Sequence, residues 1–291
     1  MAIIRDLAKV SLRKPGLSIP LVVLCTLVPL LGACRRAAPP THETSPAPAE
    51  HGGPHWDYEG EAGPLAWGRL SPDFSLCGAG RSQSPIDLAA AAPSVVPGMS
   101  ASYRPAALRI AHHEHEADVE NTGHTIQVDY PEADSLTVGG ESFPLLQYHF
   151  HSPSEHTLGG RQFPMEMHLV HRSAEGRLAV IGVFIEEGEP NAAFEPVWGH
   201  LPAQQGSEVH LEHVLVDVDA LLPASRATWR YDGSLTTPPC SEGVRWFVMQ
   251  TPVRLSAEQI QRFRAIIRGN NRPVQPLNDR VVAAERMTEE R

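Results

Sequence analysis

A mainly β fold with accessory helices is predicted by two features of this 291-residue chain: short runs in which apolar and polar residues alternate, and clusters of Gly and Pro between them. A third feature agrees, since helical periodicity is convincing in one segment alone. The alternating runs are Leu108 to Ile110, Thr125 to Tyr130, Leu145 to His151, Met165 to His171, Leu178 to Ile185 and Val244 to Thr251. The helix is Ser256 to Arg268, where Ser256 and Gln259 form a capping box, Ile260, Phe263 and Ile267 an apolar stripe, and Gly269 a stop. The Ala-rich stretch Leu88 to Ala92 reads as a loop or short helical turn, and no internal repeat is visible.

The length suits one sizeable domain. A hydrophobic fraction of 42% and a charged fraction of 20% lie in the ordinary globular range. A net charge of −10 argues against nucleic acid as a partner, because phosphate binding needs a basic face.

The N-terminus reads as an export signal. Arg5, Lys9, Arg13 and Lys14 precede an almost wholly apolar stretch from Leu17 to Leu31, which is short for a membrane span. Leu31-Gly32-Ala33-Cys34 then resembles a bacterial lipobox, in which Cys34 would be lipidated and become the mature N-terminus; the alternative is ordinary cleavage nearby. Residues 35–54 are rich in Pro, Ala, Thr and Gly with no apolar period, as a flexible tether should be. The division is therefore 1–34 signal, 35–54 tether and 55–291 folded domain. Cys25 and Cys34 belong to the signal, which leaves Cys77 and Cys240 as a candidate disulfide in an oxidising compartment, or as two buried thiols.

The strongest chemical signal is Gln147-Tyr148-His149-Phe150-His151 followed by Glu166-Met167-His168. On a strand, residues two apart face the same way, so Gln147, His149 and His151 share one face, as do Glu166, His168 and Val170. If the two strands are antiparallel neighbours, three imidazoles converge. Three neutral imidazoles suit zinc and leave a fourth tetrahedral position for water, the catalytic arrangement, with Gln147 and Glu166 placed to fix the ring tautomers. An H-x-H alone is weak in a chain with 15 histidines; the third histidine and the flanking acceptors strengthen it. His112, His113 and His115 beside Glu114 and Glu116 read instead as a solvated loop or strand end, His42 and His51 as tether residues, and His156 and His171 as hydrogen-bonded structural histidines.

These residues resemble the α-class carbonic anhydrase family. The likeness runs in order through His55-Trp56-Asp57-Tyr58, Gln83-Ser84-Pro85-Ile86-Asp87, Asn121-Thr122-Gly123-His124, the Q-Y-H-F-H strand, Ser154-Glu155-His156, Glu166 to His171, Ala179-Val180-Ile181-Gly182, Ser234 to Pro239 and Arg272 to Pro276. It implies a single domain built on a large twisted, mostly antiparallel sheet with short peripheral helices. It implies Zn²⁺ on His149, His151 and His168, and reversible hydration of carbon dioxide by zinc-bound hydroxide. Thr236 would accept from that hydroxide and donate to Glu155. The Thr236 N–H and Thr237 would meet bicarbonate, while Val170, Val180, Leu235, Val244 and Trp246 would wall an apolar pocket for carbon dioxide. His124 stands at the proton-shuttle position, and an imidazole titrating near neutrality suits that task. The resemblance also implies a Cys77–Cys240 disulfide, as bacterial members commonly have. Partners are then small molecules, with the membrane reached only through the lipid on Cys34. Gln127 and Thr122 depart from the family's usual amides, so the water path to His124 is expected to differ.

Overall fold

Alternation along the chain becomes strands wherever one face can be buried. The computed structural model describes residues 54–88, 108–111, 114–115, 117–130, 134–211 and 213–289. The signal segment with Cys25 and Cys34, the tether up to residue 53, the Ala-rich stretch beyond Leu88, and His112 and His113 lie outside them. The first strands are β1 (Leu108–Ala111), β2 (Glu114–His115), β3 (Asp118–Asn121), β4 (Ile126–Asp129) and β5 (Ser135–Val138). Next come β6 (Glu141–His151), β7 (Met165–Arg172), β8 (Leu178–Glu187), β9 (Glu208–His210) and β10 (Val216–Asp217). The chain ends with β11 (Ala227–Ser234), β12 (Glu242–Met249), β13 (Val253–Leu255), β14 (Ala283–Arg286) and β15 (Thr288–Glu289). Short helices α1 (Trp67–Leu70) and α2 (Leu76–Ala79) precede β1, short α3 (Glu195–Trp198) lies between β8 and β9, and the longer α4 (Ala257–Arg264) lies between β13 and β14.

Most strands join one thirteen-stranded sheet whose main path runs β14-β11-β12-β8-β7-β6-β4-β3-β9. Pairing is mostly antiparallel, as expected, with parallel exceptions where β8 meets β12 and β13 and where β1 meets β15. A parallel pair needs a long crossover, and the segment from β8 to β12 is long enough to supply it. No helix among the described residues is long and apolar enough to cross a membrane.

Both faces of the central strands are covered. One face sends Tyr148, Phe150, Met167, Leu169, Ile181 and Phe247 into a core closed by Trp198, Ile260 and Phe263 of α3 and α4. α4 keeps the expected capping box at Ser256 and Gln259 but ends at Arg264 rather than Arg268. The last turn tightens there, with the N–H groups of Ile266 and Ile267 both bonded to the Phe263 carbonyl, and Ile267 is still buried. β11 is an addition to the runs visible in the sequence, because its buried positions are irregular and include polar Thr228 and Ser234.

Candidate metal centre and active site

β6 and β7 are antiparallel neighbours in the register that puts His149 directly opposite His168. A register shift between Leu145 and Gln147 precedes the run in which Gln147, His149 and His151 share a face. The ring centroids of His149, His151 and His168 lie 5.0, 5.3 and 4.6 Å apart pairwise. One nitrogen on each ring lies within 4.8 Å of those on the other two.

The second nitrogen of every ring is already engaged. His149 Nδ1 donates to Gln147 Oε1 at 2.8 Å, His168 Nε2 to Glu166 Oε1 at 3.0 Å, and His151 Nδ1 to the backbone carbonyl of Asn270 at 2.7 Å. Nε2 of His149, Nε2 of His151 and Nδ1 of His168 are thereby left as electron-pair donors. Burial holds the His149 ring well below the usual histidine pKa, helped by His151 and His168 and opposed by Glu166; burial likewise lowers His151. His151 Nε2 is buried without a hydrogen-bond partner. A buried, unpartnered imidazole nitrogen facing two others fits a borderline-soft divalent cation such as Zn²⁺.

The role of Asn270 is one that sequence reasoning missed. It contributes a main-chain oxygen, which leaves no mark in residue type. His156, Glu166 and His168 form a second close group. It is a hydrogen-bond network: Glu166 Oε1 accepts from His156 Nδ1 at 2.7 Å, its Oε2 accepts the N–H groups of Glu155 and His156, and His156 Nε2 meets the Tyr231 hydroxyl at 2.7 Å. Burial alone would raise the Glu166 carboxyl, but His156 and His168 hold it well below the usual range. His171 Nδ1 bonds the Leu169 carbonyl, so both histidines have structural partners.

Glu155 is fully buried, and its Oε1 accepts the Arg272 N–H at 2.8 Å. Its Oε2 lies 3.5 Å from His151 Nε2 and 3.8 Å from His168 Nδ1 and has no hydrogen-bond partner. The implied Thr236 to Glu155 hydrogen bond is therefore not made in this arrangement, where the free carboxylate oxygen leans toward the imidazoles. Thr236 is buried and Thr237 half-buried, in the loop that Cys240 N–H closes onto the Thr237 carbonyl. The five expected wall residues do assemble. Val180, Val244 and Trp246 belong to one buried cluster, with Val170 and Leu235 packed against it. Val170, Val180 and Trp246 follow one another at matching register across β7, β8 and β12.

His124 sits on a tight turn whose Gly123 has φ +87°, a conformation that favours glycine. Thr122 Oγ1 accepts the N–H groups of His124 and Thr125 and donates to the Thr125 carbonyl. That hydroxyl is spent on the turn, and the Gln127 amide is tied to Asp129 Oδ1 at 2.8 Å. The His124 ring stacks on Trp56, 3.9 Å between centroids and 11° from parallel. Burial lowers its pKa, partly offset by Asp57.

Cys77 and Cys240 are joined as a disulfide with Cα atoms 5.0 Å apart. Around it Gln83 Nε2 donates to the Cys240 carbonyl, and the buried Arg272 guanidinium donates to Cys77 O, Ser84 O and Gln83 Oε1. The bridge fastens the N-terminal segment to the loop carrying Thr236 and Thr237.

Fold and site together define a β-sheet protein with a preformed group of three imidazoles that could hold a metal ion, next to an apolar cluster. The family model for eukaryotic-type carbonic anhydrase matches residues 62–286. A carbonic anhydrase from a Nostoc species is 44% identical over 244 residues, covering 82% of this chain and 88% of the relative. One from Pectobacterium carotovorum is 44% identical over 231 residues, covering 78% and 90%. Among solved structures, the α-carbonic anhydrase of Thermovibrio ammonificans in complex with the inhibitor sulfanilamide has a TM-score of 0.71 at 45% identity, covering 79% of this chain and 99% of that one. The chain belongs to the α-class carbonic anhydrase family, and its curated relatives named carbonic anhydrase support carbonate dehydratase activity.

Proposed function

We propose that this chain is an exported zinc enzyme that hydrates carbon dioxide to bicarbonate, with His149, His151 and His168 holding the metal and His124 carrying the proton away. The reading is carried by one observation: three converging imidazoles, His149 half-buried and His151 and His168 buried, each with one nitrogen fixed, by Gln147, the Asn270 carbonyl and Glu166 respectively. Zinc bound there supplies a Lewis acid that acidifies a water ligand. The chain does the rest.

Gln147, Glu166 and the Asn270 carbonyl hold the rings in one tautomer, so no reorganisation accompanies each turnover. Val170, Val180, Leu235, Val244 and Trp246 give an uncharged, apolar substrate a dry wall, and Thr236 and Thr237 offer donors to the anionic product. Glu155, buried and anchored by the Arg272 N–H, keeps its second carboxylate oxygen turned toward the imidazoles. Hydration adds one water to the carbon and sheds one proton. With a pKa below the usual histidine value, the His124 ring is neutral at pH 7 and can take that proton and pass it to buffer.

Hydration followed by pH change, with metal analysis on the same sample, tests the reading. One zinc per chain and activity abolished by a chelator are expected; chelator-insensitive activity, or none in a zinc-loaded sample, would refute it. The division into signal, tether and catalytic domain, with acylated Cys34 as the membrane anchor, belongs to the same proposal. Mass spectrometry of the membrane fraction checks it, and a soluble mature form starting elsewhere would end the anchor.

A further inference from the structure

We infer that the side chain of Asn270 sets where His124 stands relative to the three-histidine centre, making it a positioning residue for proton removal. The inference rests on the shuttle role proposed for His124. Asn270 is 1% exposed. It follows Gly269, whose φ of +61° turns the chain back toward β6. Every polar atom of Asn270 is used. Its carbonyl accepts from His151 Nδ1 at 2.7 Å, its Oδ1 accepts the Ser152 N–H at 2.8 Å, and its own N–H reaches the Ser152 carbonyl at 3.3 Å.

Its two amide protons go to different elements. Nδ2 donates to the His124 carbonyl at 2.9 Å and to the Phe150 carbonyl at 2.8 Å. Phe150 lies between the ligands His149 and His151. A primary amide nitrogen holds two acceptors at a fixed angle, so this pair of bonds sets the separation between the backbone of residue 124 and that of the ligand strand. Thr122 and Asn121 close the His124 turn only upon itself and the loop at 202–207, with no reference to the ligand strand. Thr125 Oγ1 reaches the Phe150 backbone, but it pins the strand pair one residue past the shuttle. Asn270 alone among these residues touches His124, the ligand strand and a ligand ring together.

The test replaces the side chain and keeps the carbonyl that holds His151. In Asn270→Ala, kcat for hydration in a buffer lacking imidazole is expected to fall about tenfold, because small misplacements of a reacting group are costly, while kcat/KM, which excludes proton release, stays within about twofold. One zinc per chain is retained, imidazole buffer restores kcat, and the His124 ring protons lose the NMR shift imposed by stacking on Trp56. Asn270→Asp, of the same shape and still an acceptor for Ser152, should give the same split. Equal losses of kcat and kcat/KM with loss of zinc, unchanged kcat, or failure of both variants to fold would each overturn the inference. His124→Ala separates the two levels. If it leaves kcat intact, the shuttle reading itself fails; if it lowers kcat and Asn270→Ala does not, only the role of Asn270 fails.

Discussion

The two flanks of β6 differ in kind although they share one sheet face. From His149 in one direction the register runs through Gln127, Glu120 and Glu208; one rung along, Gln147 is followed by Asp129, Asp118 and His210. In the other direction His149 is followed by His168, Gly182 and Val248, and Gln147 by Val170, Val180 and Trp246. One flank is acidic and open to water, with Asp129 and Glu208 exposed; the other is apolar, and Val180 and Trp246 are buried. The three converging imidazoles stand on the boundary. A reaction that consumes an apolar gas and releases a proton needs such a boundary, and strand order supplies it without any further device.

The largest effect should come from breaking the boundary itself. His168→Ala removes the imidazole that faces His149 across β6 and β7, and hydration should fall at least about 10³-fold with loss of bound zinc, read by stopped-flow assay and metal analysis. Next, Cys77→Ser with Cys240→Ser frees the loop beside the apolar flank. The closed loop spans 163 residues. Its loss should cost about 3–5 kcal/mol in chemical denaturation, and a smaller change would show that the surrounding hydrogen bonds suffice.

Val180→Tyr tests the dry flank alone. Filling it should lower kcat/KM about 50-fold with zinc content unchanged, since a displaced substrate loses its attack geometry. An unaffected kcat/KM would mean that carbon dioxide does not meet this wall. The smallest change belongs to the wet side. Burial depresses the His124 pKa and Asp57 raises it, so kcat should climb with pH through an inflection below the usual histidine value. Asp57→Asn removes the raising influence and should move the inflection lower, with a change in kcat at pH 7 under about twofold. An upward move would contradict the assigned sign.

Much of the site was legible because strand periodicity is local. Gln147, His149 and His151 must share a face once β6 is extended, and Ser256 with Gln259 caps α4 wherever that helix packs. The β-rich class followed from the same two-residue period. Tertiary structure decided which strands became neighbours, and so placed His168 opposite His149 and put the valines on one side of β6 and the acids on the other. It also decided which nitrogen each ring keeps free, through partners as remote in sequence as the Asn270 carbonyl, and it paired Cys77 with Cys240. Those outcomes depend on where the chain returns in space. A main-chain oxygen has the same chemistry in every residue, so residue type could not announce it.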